Sequence, residues 1–132
     1  MARPNKEVLD ERQNFLQTIT DCADNPSKFS EVFLNHKLFP YNKEYVDCND
    51  RFIVYRSGRQ VGKTMSTAEK AIHFAFFAPL MLKTVNTDCT IVIAAPTQNQ
   101  ATIMFGRIRD MIMRSEFLSR YVIRNTQTEM WV

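Results

Sequence analysis

No predicted strand in this sequence ends in an acidic pair. No two cysteines stand at metal-type spacing, and no apolar stretch is long enough to cross a bilayer. Each absence removes a class of function. Cys22, Cys48 and Cys89 are odd in number and far apart, so they read as free thiols in a reducing compartment. The sequence argues against a zinc site, because the two histidines, His36 and His73, stand near no cysteine pair. The most apolar stretch, 71–82, is interrupted by His73 and Pro79 and falls short of the ~20 residues a spanning helix needs. The start, Met1-Ala2-Arg3-Pro4-Asn5-Lys6, leads into a charged amphipathic segment and not into a secretory leader. Internal repeats and low-complexity tracts are also lacking. Glycine is scarce, at three residues, and two of them, Gly58 and Gly62, fall in one loop.

What is present fits one modest domain. The chain has 132 residues, 45% apolar and 23% charged, and can bury a single core. Its net charge of +3 is mildly basic and compatible with a nucleic-acid partner.

The first part reads as helical. Asn5 caps a helix with Val8, Leu9, Phe15, Leu16 and Ile19 on one face. Asn25-Pro26 starts a second helix with Phe29, Val32 and Phe33 as its apolar stripe. Leu38 to Tyr41 is a turn, and Asn42 to Val46 a further short helix. The texture then changes. Phe52-Ile53-Val54-Tyr55 reads as a buried strand, and Thr90 to Ala95 as a second. Between them lie a loop, 56–64, and a helix with Met65, Ala68, Ile72 and Ala75 on one side and Pro79 near its end. Thr97 and Gln100 stand at capping-box spacing and open a helix whose apolar face is Ala101, Met104, Ile108, Met111 and Ile112. Phe117 to Tyr121 forms a last turn, and Thr128 to Val132 begins another strand. Alternating strands and helices predict an α/β parallel sheet flanked by helices, incomplete, behind a helical extension over 1–50, with 51–132 as the front part of the sheet domain.

The chemistry is carried by Ser57-Gly58-Arg59-Gln60-Val61-Gly62-Lys63-Thr64, between a predicted strand and a predicted helix. A loop at a helix N-terminus offers unpaired N–H groups and the positive end of the helix dipole to phosphate oxygens. Glycine lets the backbone approach and take left-handed angles. Lys63 would neutralise β- and γ-phosphates, and the Thr64 hydroxyl would coordinate Mg²⁺. In the pattern G-x-x-x-x-G-K-[ST], Ser57 takes the first glycine position and Gly58 follows it. Arg59 can reach the γ-phosphate, where charge spreads during phosphoryl transfer. A chance Gly-Lys-Thr on a surface helix, and a solvated Arg59, are the plain alternatives.

This octet resembles the variant phosphate loop of large terminase subunits, the motors of viral DNA packaging, in which an arginine-glutamine pair precedes x-G-K-[ST]. Leu38-Phe39-Pro40-Tyr41-Asn42 resembles the family's upstream segment, whose glutamine touches adenine; Asn42 stands in its place. Thr90 to Met113, with Ala95-Pro96-Thr97-Gln98 as a nucleic-acid-facing loop, is similar to the family's second strand and next helix, and Glu116-Phe117-Leu118 continues the likeness. The resemblance implies a P-loop fold and ATP-driven translocation of double-stranded DNA into a capsid, with ATP and Mg²⁺ as cofactors. Its implied partners are DNA, a portal ring, a small terminase subunit and further copies of the chain in a homo-oligomeric ring, in the host cytoplasm and away from membranes. Lys63 and Arg59 are its implied catalytic residues. Ser57 to Thr64 and Asn42 would hold the nucleotide, and Thr64 the metal.

A P-loop ATPase also needs a strand ending in carboxylates for Mg²⁺ and water; residues 91–95 end in Ala95-Pro96 instead. The family's nuclease carboxylates are lacking too. The expectation is a truncated or split product that binds nucleotide weakly and does not turn it over alone. A superfamily-2-like helicase or translocase fragment and a non-catalytic nucleotide-binding or assembly module are the rival readings. Arg107, Arg109, Arg114, Arg120 and Arg124 either track a phosphate backbone or form a solvated face broken by Asp110 and Glu116. Met104, Met111 and Met113 read as core filler, His73 as a packed or surface histidine, Glu69 as a helix-surface carboxylate, and Trp131 is unassigned.

Overall fold

In the computed structural model, residues 6–81 and 89–132 are described; Asn5, the expected first cap, lies outside them. Among the described residues six helices run in order: α1 (Lys6–Asp24), α2 (Pro26–Phe33), α3 (Pro40–Asp47), α4 (Lys63–Met81), α5 (Gln98–Arg114) and α6 (Glu116–Ser119). Two short strands, β1 (Arg124–Asn125) and β2 (Met130–Trp131), follow and pair antiparallel, Arg124 opposite Trp131.

The predicted parallel sheet is not there. The protein is mostly helical, and the one sheet among the described residues is this two-stranded hairpin. Neither 52–55 nor 90–95 is a strand. Phe52 is 83% exposed, Val54 94% and Val92 80%, so both apolar runs face solvent without a ladder. β-propensity expresses the fit of a side chain to a paired, half-buried surface, and neither run has a neighbouring strand among the described residues to supply one. The expected strand over 128–132 is present only as β2, and its partner is the segment just before it.

The helices form largely where the periodicity puts them. Pro26 and Pro40 occupy first-turn positions, where their missing N–H costs nothing. Thr97 caps α5 by accepting from Gln100 N at 3.3 Å. Asn25 sits at the N-cap of α2, but its amide bonds backward to Asp21 O. The free N–H of Ser27 is met instead by Asp47 Oδ1 from the end of α3, at 2.8 Å.

α4 is the hub. Ile72 and Phe77 on it join Cys22, Phe29, Ile112 and Leu118 in the core, with Phe33, Phe76, Ile108, Met111 and Phe117 packed around them. Phe29 meets Phe77 edge-on at 5.6 Å; its burial contributes on the order of 2–3 kcal/mol. Polar groups on α4 reach across to three other parts of the chain. Lys70 Nζ donates to the carbonyls of Val46 (2.9 Å) and Cys48 at the end of α3. His73 Nε2 meets the carbonyls of Cys22 (2.9 Å) and Ala23 (3.1 Å) at the end of α1. Glu69 lies fully buried against His36. It is not the surface carboxylate its helical context suggests. Met111 packs on the core as expected, whereas Met113 is 48% exposed. All three cysteines are free thiols. No helix among the described residues is long and apolar enough to cross a membrane.

Burial holds the His73 imidazole below its ordinary pKa; the Cys22 and Ala23 carbonyls oppose this only in part. A depressed folded pKa means stability that is present above about 6.5 and is lost as pH falls, because the unfolded chain takes up a proton that the folded chain refuses. His73→Gln keeps a donor but removes the titration. At pH 8 the variant should be less stable by about 1 kcal/mol in denaturant titrations. That gap should narrow as pH is lowered from 6.5 toward 5; a gap that stays constant or widens contradicts this account.

Candidate phosphate-binding loop

The loop before α4 is shaped by two left-handed residues. Gln60 has φ 58° and Gly62 φ 81°. Left-handed geometry is strained for a residue with a Cβ, by about 1–2 kcal/mol, so Gln60 persists there only because its surroundings hold it. Gly62 is the residue on which α4 begins: its carbonyl accepts from Ser66 N at 2.9 Å and Ser66 Oγ at 3.0 Å. The next N–H groups, on Lys63, Thr64 and Met65, have no partner inside the helix. The first turn carries no acidic side chain to answer the helix dipole.

Side chains brace this backbone. Lys63 Nζ turns back across the loop and donates to Ser57 O at 2.8 Å. Asn42, on α3 and 3% exposed, donates from Nδ2 to Val61 O at 3.1 Å and accepts from the Tyr55 hydroxyl through Oδ1. Tyr55 stacks on Tyr45, ring centroids 4.1 Å apart and 10° from parallel. The Tyr45 hydroxyl in turn donates to Thr67 Oγ1 on α4 at 3.3 Å. The loop is thus held from both neighbouring helices.

Of the residues singled out by sequence, Ser57, Val61, Gly62, Lys63 and Asn42 are linked by these bonds. Gly58, Arg59, Gln60 and Thr64 stand exposed on the open side. Arg59 has no ion pair among the described residues, and the Thr64 hydroxyl makes no hydrogen bond there. Ser57 Oγ is buried without a partner. An orphaned oxygen, a free threonine hydroxyl, a lysine and a run of helix-start N–H groups fit the donor set for a polyphosphate and its cation.

Sequence reasoning missed Tyr45 and Tyr55 as parts of the site. Tyr55 read only as a strand residue, and nothing in its spacing from Asn42 announces their bond. Glu69 stays out of the loop chemistry. Burial pushes its carboxyl above the usual range, opposed by His36 and Ser30. His36 Nδ1 is within ion-pair reach but out of hydrogen-bond alignment. The arginine series is mostly engaged with its own acids: Arg120 with Glu116 at 2.7 Å, Arg124 with Glu129 at 3.8 Å and Arg109 with Asp110 at 3.9 Å. Trp131 lies in β2, 56% exposed. No protein-family model, curated protein or solved structure matches this chain.

A Cβ added at Gly62 would lie 3.0 Å from Asn42 Nδ2, at a φ that L side chains rarely adopt. Gly62→Ala should destabilise the fold by about 1–3 kcal/mol. Gly106→Ala serves as the control, because a Cβ there meets nothing within 4 Å; it should be neutral or stabilising. Equal thermal midpoints for the two variants would contradict the strain assigned to Gly62.

Proposed function

We propose that the loop 57–64 binds the polyphosphate of ATP with Mg²⁺, and that the chain is the ATP-binding portion of a large-terminase-type motor that drives double-stranded DNA into a viral capsid. The observation that carries the first half is the start of α4. A lysine ammonium is folded back over a loop with two left-handed residues, and the helix start that follows carries no acid in its first turn. The second half draws on the resemblance of Arg59 to Thr64 and of Leu38 to Asn42, and so do its partners: DNA, a portal ring, a small subunit and further copies of the chain.

In this reading Lys63 leaves the Ser57 carbonyl for the β- and γ-phosphates. The N–H groups of Gly58, Gln60, Val61 and Gly62 line the oxygens. The Thr64 hydroxyl offers an oxygen to Mg²⁺, which neutralises phosphate charge when bound. Arg59 extends from the open side toward the γ-phosphate, where charge develops in transfer. Asn42 stands in the adenine reader's place by resemblance, but its amide is engaged with the loop.

A second reading is an assembly module that binds nucleotide without turnover. It draws on Phe52, Val54 and Val92, whose exposed side chains offer unpaired, strand-prone segments to a partner.

Calorimetric titration with Mg·ATP separates the parts. Lys63→Ala should weaken binding at least about tenfold, ~1.4 kcal/mol. Arg59→Ala should leave Kd within about threefold, well under ~1.4 kcal/mol, and lower DNA-stimulated turnover in the assembled motor far more. Undiminished ATP binding by Lys63→Ala contradicts the proposal.

A further inference from the structure

The Asn42 carboxamide reaches the loop from α3, and its bonds fix what it can do. Val61 O offers only lone pairs, so the atom facing it must be Nδ2. Oδ1 then faces Tyr55, whose hydroxyl donates to it. The reverse orientation would set oxygen against oxygen. One bond at each end and a surface only 3% exposed leave Asn42 buried against the loop, where a nucleobase has little access to it. The Tyr45–Tyr55 stack beside it occupies one face of each ring.

These bonds have a second consequence. A trans peptide points its C=O and its N–H in opposite directions. Drawing the Val61 carbonyl toward Asn42 therefore turns the Gly62 N–H away from α3. The left-handed Gly62 then carries the chain into the first turn of α4, whose N–H groups are unpaired. Gly62 is also where a side chain would strike Asn42 Nδ2, so amide and loop fit closely.

We propose that Asn42 is a positioning residue that aims the Val61–Gly62 peptide at the polyphosphate and does not itself read the base, so that it serves purine and pyrimidine nucleoside triphosphates equally. This rests on the phosphate-binding reading of the loop. Asn42 touches no ligand in this scheme; it acts through the peptide it holds. Tyr55 acts one step further back, by holding the oxygen end of the amide in place.

The test is a set of titrations of the full chain with the Mg²⁺ complexes of ATP, GTP and CTP and with inorganic tripolyphosphate. Asn42→Leu keeps the volume and adds no charge but loses the donor to Val61 O, and should weaken all four ligands by a common factor of about ten or more. Tyr55→Phe keeps the Asn42 bond to Val61 O but frees the oxygen end of the amide, and should produce a smaller loss, again common to all four; it serves where Asn42→Leu does not fold. A merely structural role for Asn42 would lower the thermal midpoint while leaving tripolyphosphate affinity of the folded variants intact, and that result overturns the proposal. So does a preference for ATP over CTP of about thirtyfold or more that Asn42→Leu abolishes, because Asn42 would then be a base reader. Failure of all four ligands to bind, tripolyphosphate included, overturns the phosphate reading itself. A base preference that depends on Asn42 overturns this proposal alone.

Discussion

A helix ends in carbonyls that its own backbone cannot satisfy, and the arrangement of this protein depends on how α4 meets two such ends. Lys70 donates to the last carbonyls of α3, and His73 to those of α1. The two residues are three apart and share one flank of α4. Hydrogen bonds from a charged donor contribute about 1.5–3 kcal/mol. Burial pushes the Lys70 ammonium below its ordinary pKa, opposed by Cys48 and Asp47. Asp47 closes the circuit by meeting the Ser27 N–H near the start of α2. The three helices α1, α2 and α3 around the hub are therefore joined by polar bonds as well as by the aromatic core.

The loop inherits its position from this clamp. With the C-terminal end of α3 held by Lys70 and its middle tied to α4 through Tyr45 and Thr67, Asn42 is carried to the Val61 carbonyl. Two consecutive helices in sequence thus grip the loop that joins them. Lys63, the first residue of α4, ties the loop's other side by its bond to Ser57. A polyphosphate entering here would find the backbone already bent into the left-handed turns at Gln60 and Gly62. In this account the ligand displaces one lysine bond and does not have to fold the loop.

Local chemistry was legible in the sequence; long-range pairing was not. Proline after Asn25, threonine before Gln100 and the stripe from Met65 to Ala75 each act within a turn or two, and α2, α5 and α4 form accordingly. Gly62 announced its left-handed turn because few other residues tolerate one, whereas Gln60 gave no such sign. The two apolar runs, 52–55 and 90–95, misled because strand character is a property of a pair, and a single run carries no record of a partner. The parallel sheet inferred from them is replaced by helix packing around Ile72 and Phe77. Glu69 misled in the opposite sense. A carboxylate on an amphipathic helix reads as solvated, yet it lies at 0% exposure beside His36, which the left-handed Asn35 introduces from a distant turn. The Asn42–Tyr55 bond likewise spans a stretch with no periodicity to reveal it.

The central claim is that the backbone from Gly58 to Thr64 forms a ready-made cradle for polyphosphate. It is tested most directly by following amide resonances of the labelled protein as Mg·ATP is added. The account predicts that the largest shifts fall on the N–H groups of residues 58–64, with α1, α5 and the β1–β2 hairpin nearly unmoved. Shifts centred elsewhere, or loop amides indifferent to saturating nucleotide, would contradict it.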